Sequence, residues 1–149
     1  MIEVDERFEV PAPPEVVWPV LADPYAVVSC VPGAEIVSQN EDGSLETTLG
    51  VKFGPLHVAF QARAEVFFDE STMQGQITAR GKDKQGGARF QALATFGVEA
   101  TSDGSLVTTR GEVDISGRMA SLIEGGANAV VRRMSNEFAN CLRARFSTA

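Results

Sequence analysis

Few side chains of this chain could do chemistry, and their spacing limits what that chemistry could be. His57 is the only histidine. It follows Gly54-Pro55 on the polar face of an alternating segment, so it reads as an exposed residue rather than a base. One histidine excludes a His-rich zinc site, and no cysteine cluster replaces it. A Ser-His-Asp triad would have only His57 to use, and no serine sits in a nucleophile elbow. Cys30 and Cys141 lie far apart without metal spacing; buried free thiols in a reducing cytoplasm are the expected state. No G-x-x-x-x-G-K-[ST] occurs and no G-x-G-x-x-G follows a strand, so nucleotide phosphates have no cradle. Glu6 falls on the apolar side of its segment, where a carboxylate could meet a ligand or simply sit near solvent at an edge. No second carboxylate is clearly inward. We therefore assign no catalytic residue and no metal ligand, with acid/base work by a pocket carboxylate such as Glu6 left open.

The totals agree with a binding module. The chain has 149 residues, 44% of them apolar and 22% charged, the composition of an ordinary globule. One domain spanning 1–149 is expected. A net charge of −7 and a pI near 4.7 argue against nucleic acid, which rewards a basic face. No run of about 18 apolar residues exists to span a membrane. The opening MIEVDER is acidic and strand-like, unlike a secretory signal.

The elements follow from periodicity. Ile2, Val4, Phe8 and Val10 alternate with polar residues and predict a half-buried strand. Pro14 can open a short helix, with Val16, Val17, Val20 and Leu21 on one face and Trp18 as core. Asp23-Pro24 stops it and starts another. From Pro24 through Ala34 no residue is charged, which suits a small packed helix or, alternatively, a lid or docking surface. Alternation then predicts strands over Glu35–Gln39, Leu45–Phe53, Val58–Phe68, Met73–Arg80, Arg89–Glu99 and Val107–Ile115, with Gly81–Gly87 as a polar loop. Tight turns such as Asp42-Gly43 and Asp103-Gly104 make these strands antiparallel. From Arg118 to Phe146, the residues Met119, Ile123, Ala127, Val130, Met134, Phe138 and Leu142 recur three and four apart, with Leu122 and Val131 widening the stripe. That is an amphipathic helix of roughly 43 Å, which needs a curved sheet to lie in. Its Gly125-Gly126 reads as a kink, as a helix start near Ala127, or as space left for something else. Arg132, Arg133, Arg143 and Arg145 on its polar side complement the negative end of the dipole, and would also suit an anionic membrane surface.

The predicted inner face is thin. Ala62, Ala64, Gly75, Ala79, Ala92, Ala94 and Gly111 are all small, and Gly125, Gly126 and Ala127 oppose them. Small facing small leaves either close-drawn layers or a hollow; a packed core would alternate large with small. We read a hollow, lined by Leu49, Phe53, Phe60, Ala62, Ala64, Ile77, Ala79, Phe90, Ala92, Ala94, Phe96, Thr109, Gly111, Val113, Leu122, Ile123, Gly126, Val130 and Met134. Its few polar groups (Thr47, Thr109, Ser116, Glu6) suit a mostly hydrocarbon ligand with one or two hydrogen-bonding atoms.

This order of elements resembles the helix-grip fold of the START/SRPBCC superfamily, an α+β fold with a curved seven-stranded antiparallel sheet around a long C-terminal helix. Asp23-Pro24, Cys30-Val31-Pro32-Gly33-Ala34, Gly50-Val51-Lys52-Phe53-Gly54-Pro55, Gly81-Lys82-Asp83 and Gly117-Arg118-Met119-Ala120 resemble the carbon monoxide dehydrogenase G-subunit (CoxG-like) family. The resemblance implies a non-catalytic accessory of a molybdenum carbon monoxide dehydrogenase or related hydroxylase. Such a protein would bind a membrane quinone, such as menaquinone, as electron-acceptor carrier, or act in membrane association and enzyme assembly. No covalent or metal-bound cofactor is implied. The implied location is the cytoplasm, with room for peripheral contact on the inner face of the plasma membrane. The superfamily also implies an alternative, a cyclase- or hydratase-like enzyme acting on an apolar substrate in the cavity.

Overall fold

A computed structural model describes residues 1–146; the last three positions of the expected 1–149 domain lie outside the described residues. Its order is β1 (Ile2–Val10), α1 (Pro14–Leu21), α2 (Pro24–Ser29), β2 (Ala34–Gln39), β3 (Leu45–Phe53), β4 (Leu56–Asp69), β5 (Gln74–Asp83), β6 (Arg89–Ala100), β7 (Ser105–Ser116) and α3 (Ala120–Phe146). The seven strands form one antiparallel sheet in the order β1-β7-β6-β5-β4-β3-β2. All but one neighbour pair are consecutive hairpins. The exception, β1 against β7, lets the first strand extend the sheet on the side away from β2, and α1 and α2 make the crossing. α3 packs mainly on β1, β3 and β7 and bridges the strands between them. This is the helix-grip architecture.

Three boundaries differ from expectation. β5 runs on to Asp83, because Gly81 and Lys82 pair with β4 and β6 instead of looping out. Met73 is not a strand residue: it takes a left-handed turn conformation (φ 53°), and its carbonyl accepts a bond from the Val98 amide. α3 begins at Ala120 and runs without interruption through Gly125-Gly126, so the helix does not start late near Ala127.

Alternation along the strands separates two faces, and the inner face closes at both ends. One core gathers Phe8, Val10, Val17, Trp18, Leu21, Val98, Val107, Ala139 and Leu142, under α1 and the last turns of α3. The other gathers Val58, Phe60, Ala88 and Ile123, with Leu49, Phe53, Phe90 and Met119 packed on it. Trp18 is held by rings on either side, stacked on Phe96 and edge-on to Phe68. Its indole N–H donates to Glu70.

The glycine-containing motifs turn out to be junctions. Gly33 has φ 81°, and a Cβ there would lie 2.3 Å from the Gly50 carbonyl oxygen. The Gly50 amide in turn donates to the Gly33 carbonyl at 3.0 Å. The Val31–Ala34 and Gly50–Pro55 stretches are therefore one contact in space. The Gly81–Asp83 and Gly117–Ala120 stretches meet around Gly87. Its amide donates to Asp83 and its carbonyl accepts from the Met119 amide. A Cβ on Gly87 would strike the Met119 sulfur at 2.2 Å. Gly33→Ala combines strained backbone with a backbone clash, and we expect it to cost at least about 2 kcal/mol; urea unfolding against the parent chain measures it.

The cysteine expectation is corrected. Cys30 at the end of α2 and Cys141 on α3 are disulfide-bonded, with Cα atoms 5.5 Å apart. Neither is a free thiol. Only the tertiary fold brings them within reach, across a separation of 111 residues.

Candidate functional site

Between the two cores the inner face is not closed. The register sets Val113, Ala92, Ala79, Ala64 and Leu45 side by side across five strands. The adjacent row is Val4, Gly111, Ala94, Ile77 and Val66. Both rows point inward, and apart from Leu45 every member is half-buried. Alanines in the middle of a filled interior would be sealed; these remain open to water. α3 spans above them and leaves the central strands β4–β6 largely uncovered. On its face, Ala127 and Val130 are buried yet belong to neither core, and Met134 is half-buried. We read these open, half-buried side chains between the two cores as the floor of an apolar hollow under the middle of α3.

The sequence-derived lining divides accordingly. Ala62, Ala64, Ile77, Ala79, Ala92, Ala94, Thr109, Gly111 and Val113 form the half-buried floor. Phe60 and Ile123 are buried in one stopper, and Leu49, Phe53 and Phe90 pack on it. Phe96 packs on the other. Leu122 is corrected: it is 66% exposed and lies on the solvent side of α3. At position 122 a helix turned to seat Ile123 carries its neighbour outward, since successive residues lie about 100° apart.

Not every small residue leaves space. A Cβ on Gly75 would lie 2.2 Å from the Phe96 ring, and one on Gly81 would lie 2.8 Å from both Phe90 and the Ala62 Cβ. These glycines admit the rings that close the ends. Gly125 also contributes nothing to the hollow, because it is exposed and a Cβ there meets nothing within 4 Å. Gly126 faces Phe53, 3.5 Å from a built Cβ, an ordinary contact. We therefore expect Gly125→Ala to stabilise the chain by about 0.5–1 kcal/mol, the usual gain within a helix, and to leave ligand uptake unchanged. Thermal unfolding and a binding assay check the two halves.

Polar groups facing inward are few. The expectation of no second inward carboxylate is corrected by Asp83, which is buried opposite Phe60 at the end of β5 and accepts from the Gly87 amide. Glu6 is half-buried and pairs in register with Thr109. The Thr47 hydroxyl is spent on the Ala62 carbonyl at 3.1 Å. Ser116 is exposed at the sheet's end and does not belong to the wall. His57 is exposed on the outer face. No group of three or more His, Cys, Asp or Glu suited to a metal occurs among the described residues. Clear electrostatic shifts lie outside the hollow: Asn40 and Arg63 hold the Glu46 carboxyl below its ordinary range, and Ser44 does the same for Asp42.

α2 is tied to α3 at Cys141, about four helical turns beyond Gly126. No helix among the described residues is long and apolar enough to cross a membrane.

The family model for the carbon monoxide dehydrogenase G-subunit (CoxG) matches residues 7–147. Among solved structures the chain is similar to a conserved protein from Geobacillus kaustophilus, at 15% identity over 97% of this chain and 95% of that one, with a TM-score of 0.83. It is similar to the ZhuI aromatase/cyclase from Streptomyces sp. R1128 at 19% identity, 97% and 92% coverage and TM-score 0.60. A START superfamily protein from Mycobacterium smegmatis matches at 18% identity, 97% and 96% coverage and TM-score 0.58. At such identities these likenesses speak for the fold alone. No curated protein matches the chain.

Proposed function

We propose, since the chain belongs to the carbon monoxide dehydrogenase G-subunit (CoxG) family, that it is a non-catalytic carrier whose hollow holds an apolar ligand. The ligand we assign is a membrane quinone, delivered as electron acceptor to a molybdenum carbon monoxide dehydrogenase-type enzyme or held during membrane association and assembly. One observation carries the reading: half-buried alanines at the centre of the inner face, Ala64, Ala79, Ala92 and Ala94, between two closed cores. A quinone's isoprenoid tail suits such a floor, and its ring suits the Phe96 end, where Trp18 and Phe68 supply further rings. Burying hydrocarbon there gains about 25 cal/mol per Å². We place the protein in the cytoplasm with peripheral contact on the membrane's inner face, where the exposed Arg132, Arg133 and Arg145 of α3 would meet anionic lipid.

The test is to incubate the purified chain with bacterial membranes, re-isolate it, and analyse the organic extract by mass spectrometry. A quinone or other isoprenoid lipid near one per chain is expected. An extract without apolar ligand overturns the reading. A second reading, a cyclase- or hydratase-like enzyme, draws on the ZhuI aromatase/cyclase, which shares the fold. It needs an inward acid or base, for which Glu6 is the candidate, and turnover lost in Glu6→Gln would favour it.

A further inference from the structure

We propose that Glu6 and Thr109 form a polar anchor that selects ligands bearing a hydroxyl donor, phenols or hydroquinols, over counterparts that only accept. The inference rests on the carrier reading and adds to it which end of the ligand is recognised and in which state.

Glu6 is an anomaly on its strand. Its inward neighbours are Val4 and Phe8, and across the ladder it stands opposite Thr109, itself opposite Phe96. β1 and α3 run side by side in the same direction: the Met1 amino group lies 3.7 Å from Glu124, and Phe8 meets Phe138 edge-on at 6.0 Å. The seven residues from Met1 to Phe8, at about 3.3 Å each, match the fourteen from Glu124 to Phe138 at about 1.5 Å each. Glu6 is thereby level with the Met134 turn, under the middle of the helix and at the rim of the alanine rows. Its side chain has no hydrogen bond or ion pair among the described residues, and neither has the Thr109 hydroxyl. A carboxylate brought to an apolar wall without a partner costs free energy unless something completes it.

The chemistry of the pair fixes what completes it. A carboxylate only accepts, so it bonds a ligand O–H and repels a bare carbonyl oxygen. The threonine hydroxyl can donate to the same ligand oxygen while Glu6 accepts a hydrogen bond from that oxygen's O–H. Charge-assisted bonds are about twice as strong as neutral ones. A ring stacked toward Phe96 would place its oxygen at this end and its tail over Ala94, Ala92 and Ala79. For a quinone couple, both forms share the ring and tail contacts. The two-hydroxyl reduced form gains the anchor's bond in addition, so the carrier gives up the oxidised form more readily than the reduced one.

Calorimetric titration of the chain with 1-naphthol and with 1-methoxynaphthalene, which keeps the ring and the acceptor but lacks the donor, tests this. The wild-type chain is expected to favour naphthol by about tenfold or more, the usual margin for a bond to a charged group. Glu6→Leu should bring the ratio near one while binding methoxynaphthalene at least as well. Glu6→Gln, which keeps the shape and should fold as the parent does, should give an intermediate ratio. Thr109→Val should weaken both probes alike. An unchanged ratio in either Glu6 variant overturns the anchor and leaves the carrier reading standing. Failure of the wild-type chain to bind either probe overturns both.

Discussion

Replacing Cys30 with serine will lower the unfolding free energy by about 4 kcal/mol and make the melting temperature indifferent to reductant. The bond closes a loop of 111 residues, and cross-linking a loop of roughly that length removes about 4–5 kcal/mol of chain entropy from the unfolded state. For a chain of this size that is a fall of roughly 10 °C or more. The same change should appear in the parent chain when dithiothreitol is added. Scanning calorimetry of both, with and without reductant, decides it. Equal melting of parent and variant under oxidising conditions would mean the cross-link contributes nothing. The bond also joins the uncharged α2 to α3, so its loss should free α2 before the sheet unfolds. Because disulfides persist mainly in oxidising surroundings, alkylation of the chain in fresh cell extract, with and without prior reduction, bears directly on the cytoplasmic assignment.

Ala94→Trp will abolish uptake of an apolar ligand while leaving the fold intact. Ala94 stands between Ile77 and Gly111 in the second small row, at the middle of the hollow. An indole there occupies the space a ring would take. In a filled core, such a change forces neighbours from their rotamers at a cost of about 1–3 kcal/mol. In a hollow the added ring buries apolar surface and meets no occupied volume, so stability should hold within about 1 kcal/mol or rise. Uptake should fall by more than tenfold, measured by co-purified ligand or by titration. Leu93→Ala is the control: Leu93 is 41% exposed on the outer face, and its loss should change neither quantity. A strongly destabilised Ala94→Trp would mean the middle of the molecule is solid.

How much of this was legible beforehand follows from what each signal depends on. Strand alternation and the three-and-four spacing of α3 are local, so the order of elements, the antiparallel hairpins and the thin inner face could be read from residue types alone. The family-like motifs could be read too, though not their purpose. That Gly33 needs Gly50, and that Asp83 and Met119 share Gly87, are contacts between distant stretches. The strand residues of the expected lining share one sheet face but not one role, because periodicity says which side a residue faces and not what covers it. Phe60 and Ile123 are stoppers, while Ala79 and Ala92 are floor.

Composition and periodicity by themselves determined that this chain is a sheet gripping a helix, with small residues at the middle of the inner face. Tertiary structure alone decided how two separate cores divide the inner face, that Leu122 turns outward, and that Cys30 reaches Cys141. The division has a physical cause: backbone preference and hydrophobic period act over a few residues. A void or a cross-link depends on how separate elements pack in three dimensions, and no local spacing encodes that.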